Sequence, residues 1–164
     1  MLHLLLRLGN ERYALDARRI VEVVPMVRCR PLPHTPPWVA GTFDYRGRLV
    51  PVVDLCRLMG ATPCRALYTT RTVLADYTTA DGGSHVLGLL AEQVTETVKL
   101  DPATFEDAGV CVPAAPYLGG LARQDAGLIQ RIDVARLLPD DVRWLLFAGF
   151  DHRRGDEHCR VAAD

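Results

Sequence analysis

The sequence predicts a mainly β chain built as two small β-barrels on a shared apolar seam, with short helices and one helix near the C-terminus. Three observations predict it. Short apolar runs, separated by Gly, Asn, Asp and Pro, recur along nearly the whole chain, which is the pattern of small all-β barrels. A strand–turn–strand–helix stretch, residues 38–59, is repeated 79 positions later without a gap. Neither copy alone would bury a comfortable core, so the two are expected to share one.

In the stronger echo Trp38 falls on Tyr117, Val39 on Leu118, Gly41 on Gly120 and Leu49 on Leu128. Val50 then meets Ile129, Val53 meets Ile132, Asp54 meets Asp133, Arg57 meets Arg136 and Leu58 meets Leu137. A weaker echo lays residues 13–24 over residues 87–98 at an offset of 74; the connection after Val98 is five residues longer than the one after Val24. Gly, Asp and Arg positions match as well as apolar ones, which argues for one structural unit used twice. The division expected from the repeat is a first barrel over residues 12–66 and a second over 67–138. The terminal segments would pack on or across them.

Residues 2–8 alternate well enough for a strand with Leu2, Leu4, Leu6 and Leu8 on one face. Gly9-Asn10 is a turn, residues 12–15 return as a strand, and Asp16 is placed to cap one helical turn through Arg19. Residues 20–24 are apolar except for Glu22, and Pro25 ends them. Pro31, Pro33, Pro36 and Pro37 impose an extended connector. A hairpin follows, turning at Arg46-Gly47-Arg48. Pro51 lacks an N–H and is expected on an edge or beside a bulge. Asp54 caps a helix over residues 55–59 that Gly60 stops.

Residues 61–71 form a polar connector, 72–77 a strand, 81–84 a hairpin loop and 85–91 the return strand. Residues 92–98 repeat a short turn and strand. Gly109, Pro113 and Pro116 keep 101–116 irregular. Residues 117–123 and 127–132 make the second hairpin, and Asp133 caps the second short helix. Pro139-Asp140-Asp141 opens a last helix, with Trp144, Leu145 and Phe147 available for docking. The domain is expected to occupy residues 1–150, leaving 151–164 as a flexible charged tail.

The chain has 164 residues, 49% of them hydrophobic, and a formal net charge of −1. That balance supplies no long-range field to attract nucleic acid or anionic lipid, so neither is an expected partner. No apolar run approaches a membrane span, and the charge in residues 3–7 comes too early for a signal peptide. Five scattered cysteines without a C-x-x-C fit reduced thiols and a cytoplasmic location.

No catalytic constellation is persuasive, and no enzyme activity, cofactor or metal is expected. No two histidines have ligand spacing, and the His152, His158, Cys159 run falls in the charged tail. Cys56 lies on an apolar helix face and reads as a neutral buried thiol. The glycine pairs lack the lysine and long helix of a phosphate cradle. Arg46 stands apart, because its repeat equivalent is Asp125. A need common to both units would keep one residue at both places, so Arg46 reads as an arginine presented to a protein partner.

At these residues the sequence resembles the CheW family, the coupling proteins of bacterial chemosensory arrays. The likeness runs from about Leu4 to Leu146. It includes Leu-Gly-Asn-Glu-Arg-Tyr-Ala-Leu at residues 8–15, Ile-Val-Glu-Val at 20–23, Pro-Leu-Pro at 31–33 and Val-Ala-Gly at 39–41. Its most specific part is Arg-Gly-Arg-Leu-Val-Pro-Val-Val-Asp-Leu at 46–55, close to the family's Asn-Leu-Arg-Gly-x-Ile-Val-Pro-Val-Ile-Asp-Leu. The resemblance implies two SH3-like five-stranded barrels in a single CheW-like domain. It also implies a non-catalytic adaptor, recruited to membrane receptor arrays through protein contacts. There it would join the hairpin tips of methyl-accepting chemoreceptors to the regulatory domain of a CheA-type histidine kinase. Carried over by motif, the partner-binding residues are Ile20, Glu22, Gly41, Arg46, Gly47, Thr72, Val73 and Leu74. Tyr45 joins them as a departure, since Asp44-Tyr45 replaces Asn-Leu. With the dense prolines it leaves open a dedicated system of the Wsp type. A different class, a small-ligand or thiol redox sensor using the inter-barrel cleft with Cys56 or Cys111, is the alternative.

Overall fold

The computed structural model describes residues 1–60, 62–79 and 82–151, with side chains followed as far as Phe147. Among these residues the strands are β1 (Leu2–Leu8), β2 (Glu11–Asp16), β3 (Ile20–Pro25), β4 (Val39–Tyr45) and β5 (Arg48–Asp54). They continue as β6 (Arg71–Thr78), β7 (Ser84–Ala91), β8 (Glu96–Lys99), β9 (Leu118–Gln124) and β10 (Gly127–Ile132). A one-turn helix α1 (Leu55–Met59) follows β5, and α2 (Asp140–Asp151) ends the described chain. The strands form two five-stranded sheets, ordered β8-β1-β2-β10-β9 and β3-β6-β7-β5-β4. The expected mainly β architecture of two five-stranded units with few short helices is therefore present.

The boundary near residue 66 does not separate the two sheets. Each sequence repeat reads hairpin, single strand, hairpin, and in space the leading hairpins are exchanged. β6 and β7 complete the sheet of β3, β4 and β5, while β1 and β2 complete that of β8, β9 and β10. One sheet is thus continuous in sequence over residues 20–91, and the other is drawn from both ends of the chain. The reason is a parallel ladder made twice. Val52 and Val53 of β5 pair with Gly88 and Leu89 of β7, and Arg131 and Ile132 of β10 pair with Ala14 and Leu15 of β2. These are the same contacts under the offsets of 79 and 74. A parallel neighbour needs a long crossover, and the crossover from β2 to β10 contains the whole second sheet.

Four aspartates start the short turns in the same way. Asp16, Asp54, Asp101 and Asp133 accept from the N–H groups of Arg18, Arg57, Ala103 and Ala135, satisfying donors that a helix start leaves unpaired. The connectors are also equivalent. Arg30 exchanges two backbone hydrogen bonds with Thr42, at 2.7 and 2.9 Å, and Glu106 does so with Leu121, both at 2.8 Å. Each pairing covers the outer edge of a strand that would otherwise be exposed. It requires glycine beside it: a Cβ on Gly41 (φ +135°) would lie 2.1 Å from the Arg30 carbonyl oxygen, and one on Gly120 would lie 2.8 Å from that of Glu106.

Pro51 is not on an edge strand, since β5 lies between β4 and β7. It is tolerated because the ladder to β7 begins only at Val52, and the bulge opposite Val52 and Val53 is one residue away.

One continuous core joins the sheets. Leu4, Leu6, Leu8, Leu15 and Ile132 of one sheet meet Val53, Val73, Ala75, Tyr77, Leu87 and Leu89 of the other. Two smaller clusters, Leu5-Ala14-Leu100-Ile129 and Val52-Cys64-Leu90, fill the opposite faces. In α2 the docked residues are Val142, Leu146 and Phe147, whose ring stacks on Tyr77 and His85. Trp144 and Leu145, expected to dock, face outward because they fall off the stripe of helical spacing through 142 and 146. None of the described helices is long and apolar enough to cross a membrane. The tail expected from residue 151 lies, from residue 152 on, outside the described residues, as does Asp81 of the expected hairpin loop.

The cysteines correct the expectation of reduced thiols. Cys56 and Cys64 form a disulfide, with Cα atoms 5.2 Å apart. The Gly60 N–H closes on the Cys56 carbonyl at 2.8 Å and reverses the chain, returning residue 64 to residue 56. Closing a loop this short stabilises the fold by roughly 2–3 kcal/mol on the chain-entropy account. Just beyond it Arg65 donates to buried Glu92 from its backbone N–H at 2.6 Å and its guanidinium at 3.0 Å. The Arg65 guanidinium hydrogen bonds hold the Glu92 carboxyl below its usual range; burial opposes this, and the Arg65 N–H and charge assist.

Gly41→Val should lower the unfolding free energy measured in urea by about 3 kcal/mol or more, since it meets both a forbidden φ and a carbonyl. Gly120→Ala should cost roughly half as much; small equal losses would show that the connector pairings contribute little. Because Glu92 binds its proton more weakly when folded, its contribution is complete above the ordinary glutamate value and fades as pH falls through the lower folded value. Glu92→Gln should therefore lower stability at neutral pH and flatten its decline between about pH 5 and pH 3, read from urea midpoints.

Candidate functional site

The β4–β5 hairpin turns through Arg46 (φ 51°) and Gly47 (φ 81°). Two residues with positive φ make the tight turn whose twist matches the flanking strands. Asp44 holds it by accepting from the Gly47 N–H at 2.8 Å. Arginine is an uncommon occupant of that left-handed position, and there its side chain is 74% exposed.

From this turn Tyr45 and Arg46 both reach Glu22 on β3. The Tyr45 hydroxyl donates to Glu22 Oε2, Arg46 Nη2 lies 3.4 Å from the same oxygen, and the guanidinium stands 5.1 Å from the Tyr45 ring centre. β3 and β4 are the two outer strands of their sheet, so this trio joins its edges through side chains. The hydrogen bond to Glu22 is the main cause that raises the Tyr45 phenol above its ordinary value; partial desolvation adds to it and Arg46 opposes it. So exposed an ion pair adds little to stability. The second repeat has no such trio: Gln124 and Asp125 stand where Tyr45 and Arg46 would be.

The other expected partner-binding residues divide. Gly47 is exposed in the turn, and Ile20 is half-buried at the start of β3. Gly41 is buried under Arg30 and serves the backbone pairing. Thr72, Val73 and Leu74, also expected as contact residues, are fully buried in β6. They pair with Val24, Val23 and Glu22 and so carry the strand that displays Glu22. Four residues that sequence reasoning did not single out do present apolar surface: Val21 and Val23 on β3, and Leu49 and Leu128, 40–57% exposed. The run at 20–24 hid the first pair, because an edge strand apolar on both faces reads as a buried one. The signal for the second pair was present: the repeat aligns Leu49 with Leu128 at a hairpin position that packing leaves open.

Elsewhere a cleft of about 380 Å³ lies between the β1–β2 hairpin, through Leu8, Glu11 and Tyr13, and a wall that includes Cys56, Arg65 and Glu92. Asp54, Cys56 and Cys64 place ligand-type atoms within 4.8 Å of one another. The Asp54 carboxylate is taken by the N–H groups of Arg57 and Cys64, and the two sulfurs by each other. That trio is therefore a structural knot. Cys111 is an exposed free thiol, while His152, His158 and Cys159 lie outside the described residues.

The chain matches the family model described as CheW-like domain over residues 2–142. It is 24% identical over 144 residues to Chemotaxis protein CheW of Klebsiella aerogenes, covering 84% of this chain and 81% of that protein. It is 35% identical over 121 residues to Protein PilI of Pseudomonas aeruginosa, covering 73% and 65%. The crystal structure of scaffolding protein TtCheW from Thermoanaerobacter tengcongensis superposes with a TM-score of 0.73 at 25% identity, over 84% of this chain and 87% of that one. With one family spanning both sheets and the connectors between them, the chain belongs to the CheW-like domain family.

Proposed function

We propose that this protein is a non-catalytic adaptor of a chemosensory array, coupling methyl-accepting chemoreceptors to a CheA-type histidine kinase. The observation that carries the reading is the Glu22–Tyr45–Arg46 trio. It occurs in one repeat alone, spends a strained backbone position on an exposed arginine, and adds little to folding. Such a feature suits a surface used by a partner. Arginine and tyrosine are the residues most enriched where binding energy concentrates, and Leu49 on the same hairpin adds an exposed apolar anchor. In this reading the trio meets the kinase regulatory domain, and the cleft beside Tyr13 takes the helical hairpin of a receptor, a helix-in-groove contact. Family membership and the likeness to proteins named for chemotaxis and scaffolding support the adaptor reading.

Arg46→Ala should weaken association with the kinase regulatory domain about tenfold or more in a titration of purified proteins. Its unfolding free energy should stay within about 0.5 kcal/mol of the parent. A loss of stability matching the loss of binding would make Arg46 a structural residue. Tyr45→Phe should weaken the same association by a smaller factor, since it frees Glu22 without removing the cation.

A further inference from the structure

Residues 62–66 form a strap that returns from α1 along one wall of the cleft. Its anchors lie on both sides of Cys64 and Arg65; on the far side the Arg65 carbonyl accepts from the Thr70 hydroxyl at 2.6 Å and the Leu67 N–H at 2.8 Å. The Cys64 N–H donates to Asp54 at 3.0 Å, and Arg65 donates to Glu92 from backbone and guanidinium. The disulfide ties the same point to α1. Cys56, Thr62, Arg65 and Glu92 all line the cleft, opposite Tyr13 and Glu11 of the β1–β2 hairpin.

We propose that the Cys56–Cys64 disulfide is a thiol-exchange site, a redox latch that fixes this strap and so sets the shape of the cleft. Its two sulfurs are unequally reachable. Cys56 is half-buried and lines the cleft, whereas Cys64 is 8% exposed and packed with Val52 and Leu90. The thiolate of a dithiol reductant therefore attacks Cys56 Sγ. The Cys56–Cys64 bond breaks, and Cys64 leaves with the electron pair and takes up a proton. The reductant's second thiol then attacks its own sulfur in the mixed disulfide and releases Cys56. Two electrons and two protons enter the protein, and the reductant departs as its disulfide.

The reduced form is provided for as well as the oxidised one. The Leu90 carbonyl oxygen lies 3.4 Å from Cys64 Sγ, in place to accept the hydrogen of the freed thiol, so reduction creates no orphaned buried donor. Cys29 packs against the same cluster. Burial raises its thiol above the ordinary cysteine value, which keeps it protonated and slow to capture either partner. The latch itself follows from this geometry alone; its effect on signalling rests on the adaptor reading.

The full chain, oxidised and after treatment with dithiothreitol in native buffer, supplies the test. Of its five cysteines, two more should react with a thiol reagent after reduction than before it. Amide hydrogen exchange at Cys64 and Arg65 should quicken about tenfold or more on reduction, with Val53 and Leu89 unchanged. The Cys56→Ser, Cys64→Ser double variant should exchange like the reduced chain whether or not dithiothreitol is added. Thiols that appear only in denaturant, or identical exchange at Cys64 and Arg65 in both states, would overturn the latch. A receptor hairpin fragment should bind the two states with affinities differing severalfold. Equal, measurable affinities beside altered exchange would overturn the control of the cleft; binding to neither state would count against the adaptor reading, leaving exchange to decide the latch.

Discussion

The parallel pairing of β2 with β10 holds one end of the chain against the other, and most of the architecture follows from it. Ile129, Arg131 and Ile132 can lie beside Arg12, Ala14 and Leu15 only if everything between them is a crossover that returns to the same sheet. That crossover is itself a folded sheet whose own parallel pair, β5 with β7, repeats the geometry. Neither sheet can be lifted away, because the leucines of β1 and the apolar face of β6 and β7 fill one core. The domain is therefore one cooperative body, although its sequence is written as two copies.

This exchange explains which parts of the fold were legible. Strand and turn positions were readable from alternation, from Gly9-Asn10 and Arg46-Gly47, and from the capping aspartates, because those signals act over a few residues. The repeat was readable too, and Gly41 with Gly120 and Asp54 with Asp133 hold equivalent places in space. Sheet membership was not, since two tandem copies and two copies with exchanged hairpins satisfy the same local pattern. The disulfide escaped for a related reason: only the reversal at Gly60 brings residue 64 to residue 56. For Pro51 the missing N–H left an edge and a bulge open; the bulge lies one residue away, and the ladder to β7 starts one residue later.

The candidate surface shows a division of labour between the repeats. Positions that match in both copies mostly serve the backbone, the caps and the core. Arg46 and Tyr45 break the match and reach Glu22 across the outer strands of one sheet. Asymmetry between copies singles out exposed residues, whereas the family motif also carries Thr72, Val73 and Leu74, which lie in the buried interior. The matched but exposed pair Leu49 and Leu128 is the instructive exception, an apolar position kept in both copies without a packing role.

The exchanged hairpins also bear on how the polypeptide emerges from the ribosome. Residues 20–91 hold all the strands of one sheet, so that sheet can assemble while the rest is still being translated. The leucine-rich first hairpin is made earlier yet completed last, because β10 reaches the exit tunnel only after more than a hundred further residues. At ordinary translation speeds that interval is on the order of ten seconds. Through it that hairpin stays open to chaperones, or to the matching strand of a neighbouring copy.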